Sequence, residues 1–157
     1  MTNDQILAEV AAAISVETDA RRTLERAVRL LKENLPDYSW VGIYLTEGNE
    51  LALGPFLGKP SPHTRIPLGK GICGAAATQK QTIIVDDVHA DPRYLACSIE
   101  TRSEIVVPIM LGSEVLGEID IDSDRPAAFG PADRELLEAV AALLAPRLAP
   151  AGTRRTP

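Results

Sequence analysis

Apolar positions first recur at helical spacing. Asp4 to Ala13 is weakly amphipathic, and after Thr18 the residues Leu24, Ala27, Val28, Leu31 and Leu35 follow a three-to-four repeat that Pro36 stops. The period then drops to two. Trp40, Gly42 and Tyr44 fall on one face and Val41, Ile43 and Leu45 on the other, before Glu47-Gly48-Asn49-Glu50 and the apolar run Leu51 to Leu57, a pattern that predicts a hairpin. Gly54 to Pro67 is crowded with Gly and Pro and reads as a mostly irregular loop, a natural lid or rim. Gly69-Lys70-Gly71-Ile72-Cys73-Gly74 leads into the small residues Ala75 to Gln79, which predicts a short helix with Cys73 at its start, where the helix terminus would favour a thiolate. Gln81 to Asp86 reads as a strand and Asp87 to Thr101 as a long connection. Glu104 to Leu111 and Val115 to Asp122 read as two strands around Gly112-Ser113. Gly130-Pro131 opens a last helix that buries Leu136, Leu137, Val140, Leu143 and Leu144.

Helices at both ends of a hairpin-rich middle predict an α+β domain, with a single antiparallel sheet and the N- and C-terminal helices on one face. No repeat or linker divides the chain, so residues 1–148 are expected to form one domain and 149–157 a disordered tail. Helices packed side by side would also offer a surface for a homodimer.

The net charge of −6 gives no basic footprint for phosphate backbones, which argues against a nucleic-acid partner. No apolar run approaches the ~20 residues of a spanning helix, and Met1 to Ala13 carries acidic residues without a basic leader pattern, so the expected setting is the cytoplasm and not the membrane. In a reducing compartment the two cysteines, Cys73 and Cys97, are structural thiols, metal ligands or redox groups.

Ile119-Asp120-Ile121-Asp122 alternates strictly, so both aspartates share one strand face. Those carboxylates lie either in solvent, the plainer reading, or in a pocket, and Glu118 on the same face weighs toward solvent. Acids spaced two residues apart sit ~6–7 Å apart and titrate together if water is excluded, which would let one stay protonated as an acid. Glu104 heads the neighbouring strand, where it is either a strand-end charge or a third member of the group. Cys97 is a small buried hydrophobe or a nucleophile whose pKa Arg93 and Arg102 would lower. Trp40 and Tyr44 are core, or an aromatic wall for an apolar or sulfur-methyl group. His63, Cys73, His89 and Cys97 lack zinc-ligand spacing, so no metal is expected, and neither the phosphate-loop nor the nucleophile-elbow pattern is present.

From Trp40 to Asp122 the ordered set Trp40-Val41-Gly42-Ile43-Tyr44, Gly54-Pro55-Phe56-Leu57-Gly58, Thr64-Arg65-Ile66-Pro67, Gly69 to Gly74, Asp87-Val88-His89, Ala96-Cys97, Arg102 to Pro108 and Gly117 to Asp122 resembles the free methionine-R-sulfoxide reductases, enzymes built on a GAF domain. The resemblance implies that Cys97 is the nucleophile, which becomes a sulfenic acid, and that Cys73 resolves it as a disulfide. It also implies that Glu104, Asp120 and Asp122 are the acidic pocket, for both substrate binding and catalysis, and that Trp40 and Tyr44 are its substrate-binding wall. Free methionine sulfoxide would be the substrate, a thioredoxin-type protein the reductant, and no bound cofactor would be needed. His63 stands where the family usually has a third cysteine, and Ser98 where it usually has an aspartate. A GAF domain that senses a small molecule or redox state without turnover is the alternative.

Overall fold

The computed structural model describes residues 1–96 and 98–149. Two helices, α1 (Asn3–Val16) and α2 (Ala20–Asn34), open the chain and α4 (Pro131–Leu148) closes it. Between them run β1 (Trp40–Glu47), β2 (Glu50–Leu57), β3 (Arg65–Pro67), the helix α3 (Gly71–Gln79), β4 (Ile83–Val85), β5 (Ser103–Leu111) and β6 (Glu114–Ser123). The strands form one six-stranded sheet in the order β3-β2-β1-β6-β5-β4, with every pairing antiparallel. The expected α+β architecture is thus present.

Helix ends follow local chemistry. Thr2 and Gln5 form a reciprocal capping box on α1, and the Asp19 carboxylate accepts from the first backbone amides of α2. The terminal helices cover one sheet face. Ile6, Val10, Leu24, Leu31, Leu137 and Leu144 pack there on Val41, Ile43, Ile105, Val107, Ile119 and Ile121 in a continuous apolar core. A second cluster lies on the opposite face, where Trp40, Tyr44 and Val106 meet Ile72, Cys73 and Ala76 of α3.

The Gly- and Pro-rich stretch is more ordered than its composition predicts. β2 continues to Leu57, and β3 takes up Arg65–Pro67, so residues 58–64 are all that is left as loop. The pairing of β1 with β2 shifts register between Gly42 and Tyr44, and this bulge accommodates Gly54 and Pro55 without a break in the ladder.

Candidate active site

The sheet register explains which side chains meet. On the face away from the terminal helices, three rows run across β1, β6 and β5: Trp40, Asp122 and Glu104; Gly42, Asp120 and Val106; Tyr44, Glu118 and Pro108. Directly opposite residues in an antiparallel pair lie ~4.5–5.5 Å apart at Cα, so four carboxyl groups are forced into one small region. The middle row holds a glycine for a physical reason. A Cβ on Gly42 would lie 2.2 Å from an atom of the Trp40 ring, because the indole lies over that position.

All four acids are buried, with Glu118 at 0%, Asp120 at 3%, Asp122 at 4% and Glu104 at 6% exposure. The solvated-face reading of the aspartates therefore fails, as does the expectation that Glu118 argues for solvent. α3 and the loops around it roof the face that the alternation pattern alone leaves open. Glu118 is the residue that sequence reasoning missed, although the Glu118, Asp120, Asp122 spacing signals it once one member is known to be inside.

Burial sets the electrostatics. Loss of hydration pushes the Glu118 carboxyl well above the ordinary carboxylate range, and the Asp120 charge adds to this, while the nearby Cys73 thiol offsets part of the rise. Asp122 is raised in the same way, by burial and then by Asp120, with Glu104 opposing. Asp120 is raised by burial against hydrogen bonding from Glu104 and Cys73. Neither Glu118 oxygen, nor Oδ1 of Asp120 or Asp122, has a well-formed hydrogen-bond partner. Such groups are held as neutral acids far more readily than as anions.

Cys73 sits in the first turn of α3, and the structure corrects the expectation of a thiolate there. Its thiol is pushed well above the usual value, first by burial and then by Asp120, Glu118, Glu104 and Asp122. Four acids and desolvation outweigh one helix terminus of nine residues. The Cys73 Sγ and one oxygen each of Glu104 and Asp120 lie within 4.8 Å of one another. Cys97 lies outside the described residues.

The aromatic pair anchors a loop. Trp40 stacks on Phe56 at a centroid distance of 5.6 Å and donates its indole N–H to the Lys59 carbonyl at 2.9 Å. Tyr44 donates its hydroxyl to the His63 carbonyl at 2.7 Å. Both bonds tie loop 58–64 to the sheet. The same loop reaches the long connection after β4, because His63 Nε2 donates to the Ala96 carbonyl at 3.1 Å and Lys59 pairs with Glu100. Between these loops a cavity of about 60 Å³ opens onto Trp40 and Asp122. Among the described residues, the two histidines have other partners: His63 Nε2 donates to the Ala96 carbonyl, and His89 Nε2 accepts from Arg102.

Comparison with known proteins places this geometry. The GAF domain family matches residues 19–148. Free methionine-R-sulfoxide reductase of Escherichia coli is 38% identical over 133 residues, which is 85% of this chain and 80% of that protein. The chain belongs to the GAF domain family and, within it, to the free methionine-R-sulfoxide reductases. The solved free methionine-R-sulfoxide reductase of Neisseria meningitidis, in complex with its substrate, superposes with a TM-score of 0.89 at 37% identity and covers 93% of this chain and 87% of its own. The type II enzyme of Thermoplasma acidophilum is 43% identical, with a TM-score of 0.80 over 82% of this chain and 92% of its own. In this family setting the acid-bearing sheet face, roofed by α3 and loop 58–64, is the candidate active site of the GAF domain. Among the described residues, no helix is long and apolar enough to cross a membrane.

Proposed function

We propose that the chain reduces free methionine-R-sulfoxide to methionine. The observation that carries this reading is the group of four buried carboxyl groups beside Cys73 and beneath the Trp40 and Tyr44 wall, in a chain akin to enzymes named for that reaction. A thiol that attacks sulfoxide sulfur needs a proton on the departing oxygen, and carboxyl groups kept neutral by burial are suited to donate it. Asp120 and Asp122 take this part and Glu104, hydrogen-bonded to them, completes the acidic pocket, with Trp40 and Tyr44 against the apolar end of the substrate. Cys97 is the nucleophile. Oxygen passes from substrate sulfur to the Cys97 thiol, giving methionine and a sulfenic acid; the Cys73 thiol then condenses with that sulfenic acid, forming the disulfide and releasing water. A dithiol protein of the thioredoxin type reopens the disulfide and is itself oxidised. The reading includes action in the cytoplasm, with no bound cofactor, as a homodimer joined through the terminal helices.

The deciding experiment is turnover of free L-methionine-R-sulfoxide with dithiothreitol or a thioredoxin system, beside the S epimer and a peptide-bound sulfoxide. Activity on the free R epimer alone is expected. Cys97→Ser should lower it by at least about a thousandfold, whereas Cys73→Ser should still release about one methionine per protein. Full multiple turnover by Cys97→Ser would refute the mechanism, and saturable ligand binding without any turnover would turn the site into a sensor.

A further inference from the structure

The buried acid face has a second chemical capacity, separate from proton donation. Cys73 Sγ, one Glu104 oxygen and one Asp120 oxygen lie within 4.8 Å of one another, and all three residues are buried. One ion bound tetrahedrally at the ~2.0–2.3 Å of zinc–oxygen and zinc–sulfur bonds sets its donors roughly 3.3–3.8 Å apart, so a contraction of at most about 1.5 Å brings the three onto one ion. Beside them stands Glu118, fully buried, with two carboxyl oxygens that lack a hydrogen-bond partner, and its carboxyl faces the same thiol. Among the described residues, every charged neighbour acting on Cys73 is an acid: Asp120, Glu118, Glu104 and Asp122.

We propose that Cys73, Glu104 and Asp120, with Glu118 as a fourth donor, form a binding site for a borderline-soft divalent cation of the zinc class. The donor set decides the class. Magnesium and calcium prefer oxygen alone and gain nothing from sulfur, whereas zinc and cobalt take a thiolate together with carboxylates. The donors come from three elements, with Cys73 on α3, Glu104 on β5 and Asp120 and Glu118 on β6. A bound ion would therefore pin α3 to the sheet. It would also occupy the acids and the thiol that the proposed reduction uses, so zinc would inhibit turnover. That consequence rests on the reductase reading, while the binding itself does not.

Metal-stripped, reduced protein titrated with cobalt(II) should take up one equivalent and develop the near-ultraviolet absorption of a thiolate–cobalt bond. Cys73→Ser should abolish that absorption, Asp120→Asn should weaken uptake at least tenfold, and Cys97→Ser should leave both intact. X-ray absorption on the zinc-loaded wild-type protein needs no variant to fold, and one sulfur neighbour at about 2.3 Å with oxygen neighbours at about 2.0–2.2 Å is expected. Three results would overturn the proposal: no saturable uptake, a zinc shell without sulfur, or an absorption that survives Cys73→Ser and disappears in Cys97→Ser. If the metal binds as described but the protein shows no sulfoxide reduction, the reductase reading fails and the metal site stands.

Discussion

On the helix-covered face, β6 presents Ile119 and Ile121, each fully buried against the terminal helices; on the opposite face the same strand presents Glu118, Asp120 and Asp122, buried to nearly the same degree. The first face follows the hydrophobic effect, and each side chain there lowers the folded state's free energy by its own burial. The second works against it. Carboxyl groups without full hydrogen bonding raise the folded state's free energy, and the fold tolerates them because α3, the aromatic pair and the loops hold the roof in place. An apolar core and a buried acidic group are thus segregated to the two sides of one ten-residue strand. Substitutions on the two faces should fail in different ways.

The largest separation should come from Asp120→Asn, which keeps shape while it removes the acid. Turnover of free methionine-R-sulfoxide should drop by about 10²–10⁴-fold, the usual worth of a general acid, while the thermal midpoint stays within about 3 °C of wild type. Steady-state kinetics and a thermal melt on one preparation check both halves. A large loss of stability with intact turnover would place Asp120 with the structural face.

This division was only half legible in the residues. Alternation over Ile119-Asp120-Ile121-Asp122 identified the two faces and the helix-packed core, because period-two patterning is local information. What covers the polar face is not local. The roof comes from α3 and from loops distant in the chain, and nothing in Glu118 itself separates a solvated carboxylate from a buried one. The same limit explains the Cys73 thiol. Its place at a helix start is readable, but the four acids that outweigh the helix terminus arrive through the sheet register. Gly54 and Pro55 misled for the converse reason, since a bulge set by the partner strand absorbs them.

Ile121→Ala tests the other face. Ile121 is fully buried and pairs with Val41 and Ile105, so its truncation leaves a cavity in the middle of the sheet. A loss of about 2–5 kcal/mol in unfolding free energy is expected, seen as a fall of roughly 5–20 °C in the thermal midpoint. Turnover per folded molecule at low temperature should remain within about twofold. A variant that is stable but catalytically dead would merge the two faces.

A smaller effect concerns pH. Glu118 and Asp122 stay protonated in the folded protein at pH values where they ionise in the unfolded chain. The unfolded state therefore binds fewer protons, and stability falls as pH rises from the ordinary carboxylate range near 4 toward the raised folded values. This is the reverse of the usual acid unfolding of paired carboxylates. Glu118→Gln removes one such group at nearly constant volume, so the slope of unfolding free energy against pH should shrink by up to about 1.4 kcal/mol per pH unit. Denaturant unfolding between pH 5 and 8 measures it, and an unchanged slope would mean that Glu118 titrates alike in both states.

The smallest effect separates wall from anchor. Tyr44 is buried in the acid-bearing face, and its hydroxyl holds the His63 carbonyl. Tyr44→Phe keeps the ring and removes the bond, which is worth roughly 0.5–1.5 kcal/mol. If the bond only stabilises the fold, the thermal midpoint moves by a few degrees and kinetics do not. If it holds loop 58–64 over the acids, kcat/KM for the free sulfoxide falls about two- to tenfold, the same free energy read in transition-state binding. The kinetic outcome is expected, because His63 is also bound to Ala96, one residue before Cys97, so that one hydroxyl links the sheet, the loop and the chain segment of the proposed nucleophile. A pure stability change would confine Tyr44 to packing and leave Trp40, through its bond to Lys59, as the one aromatic anchor of that loop.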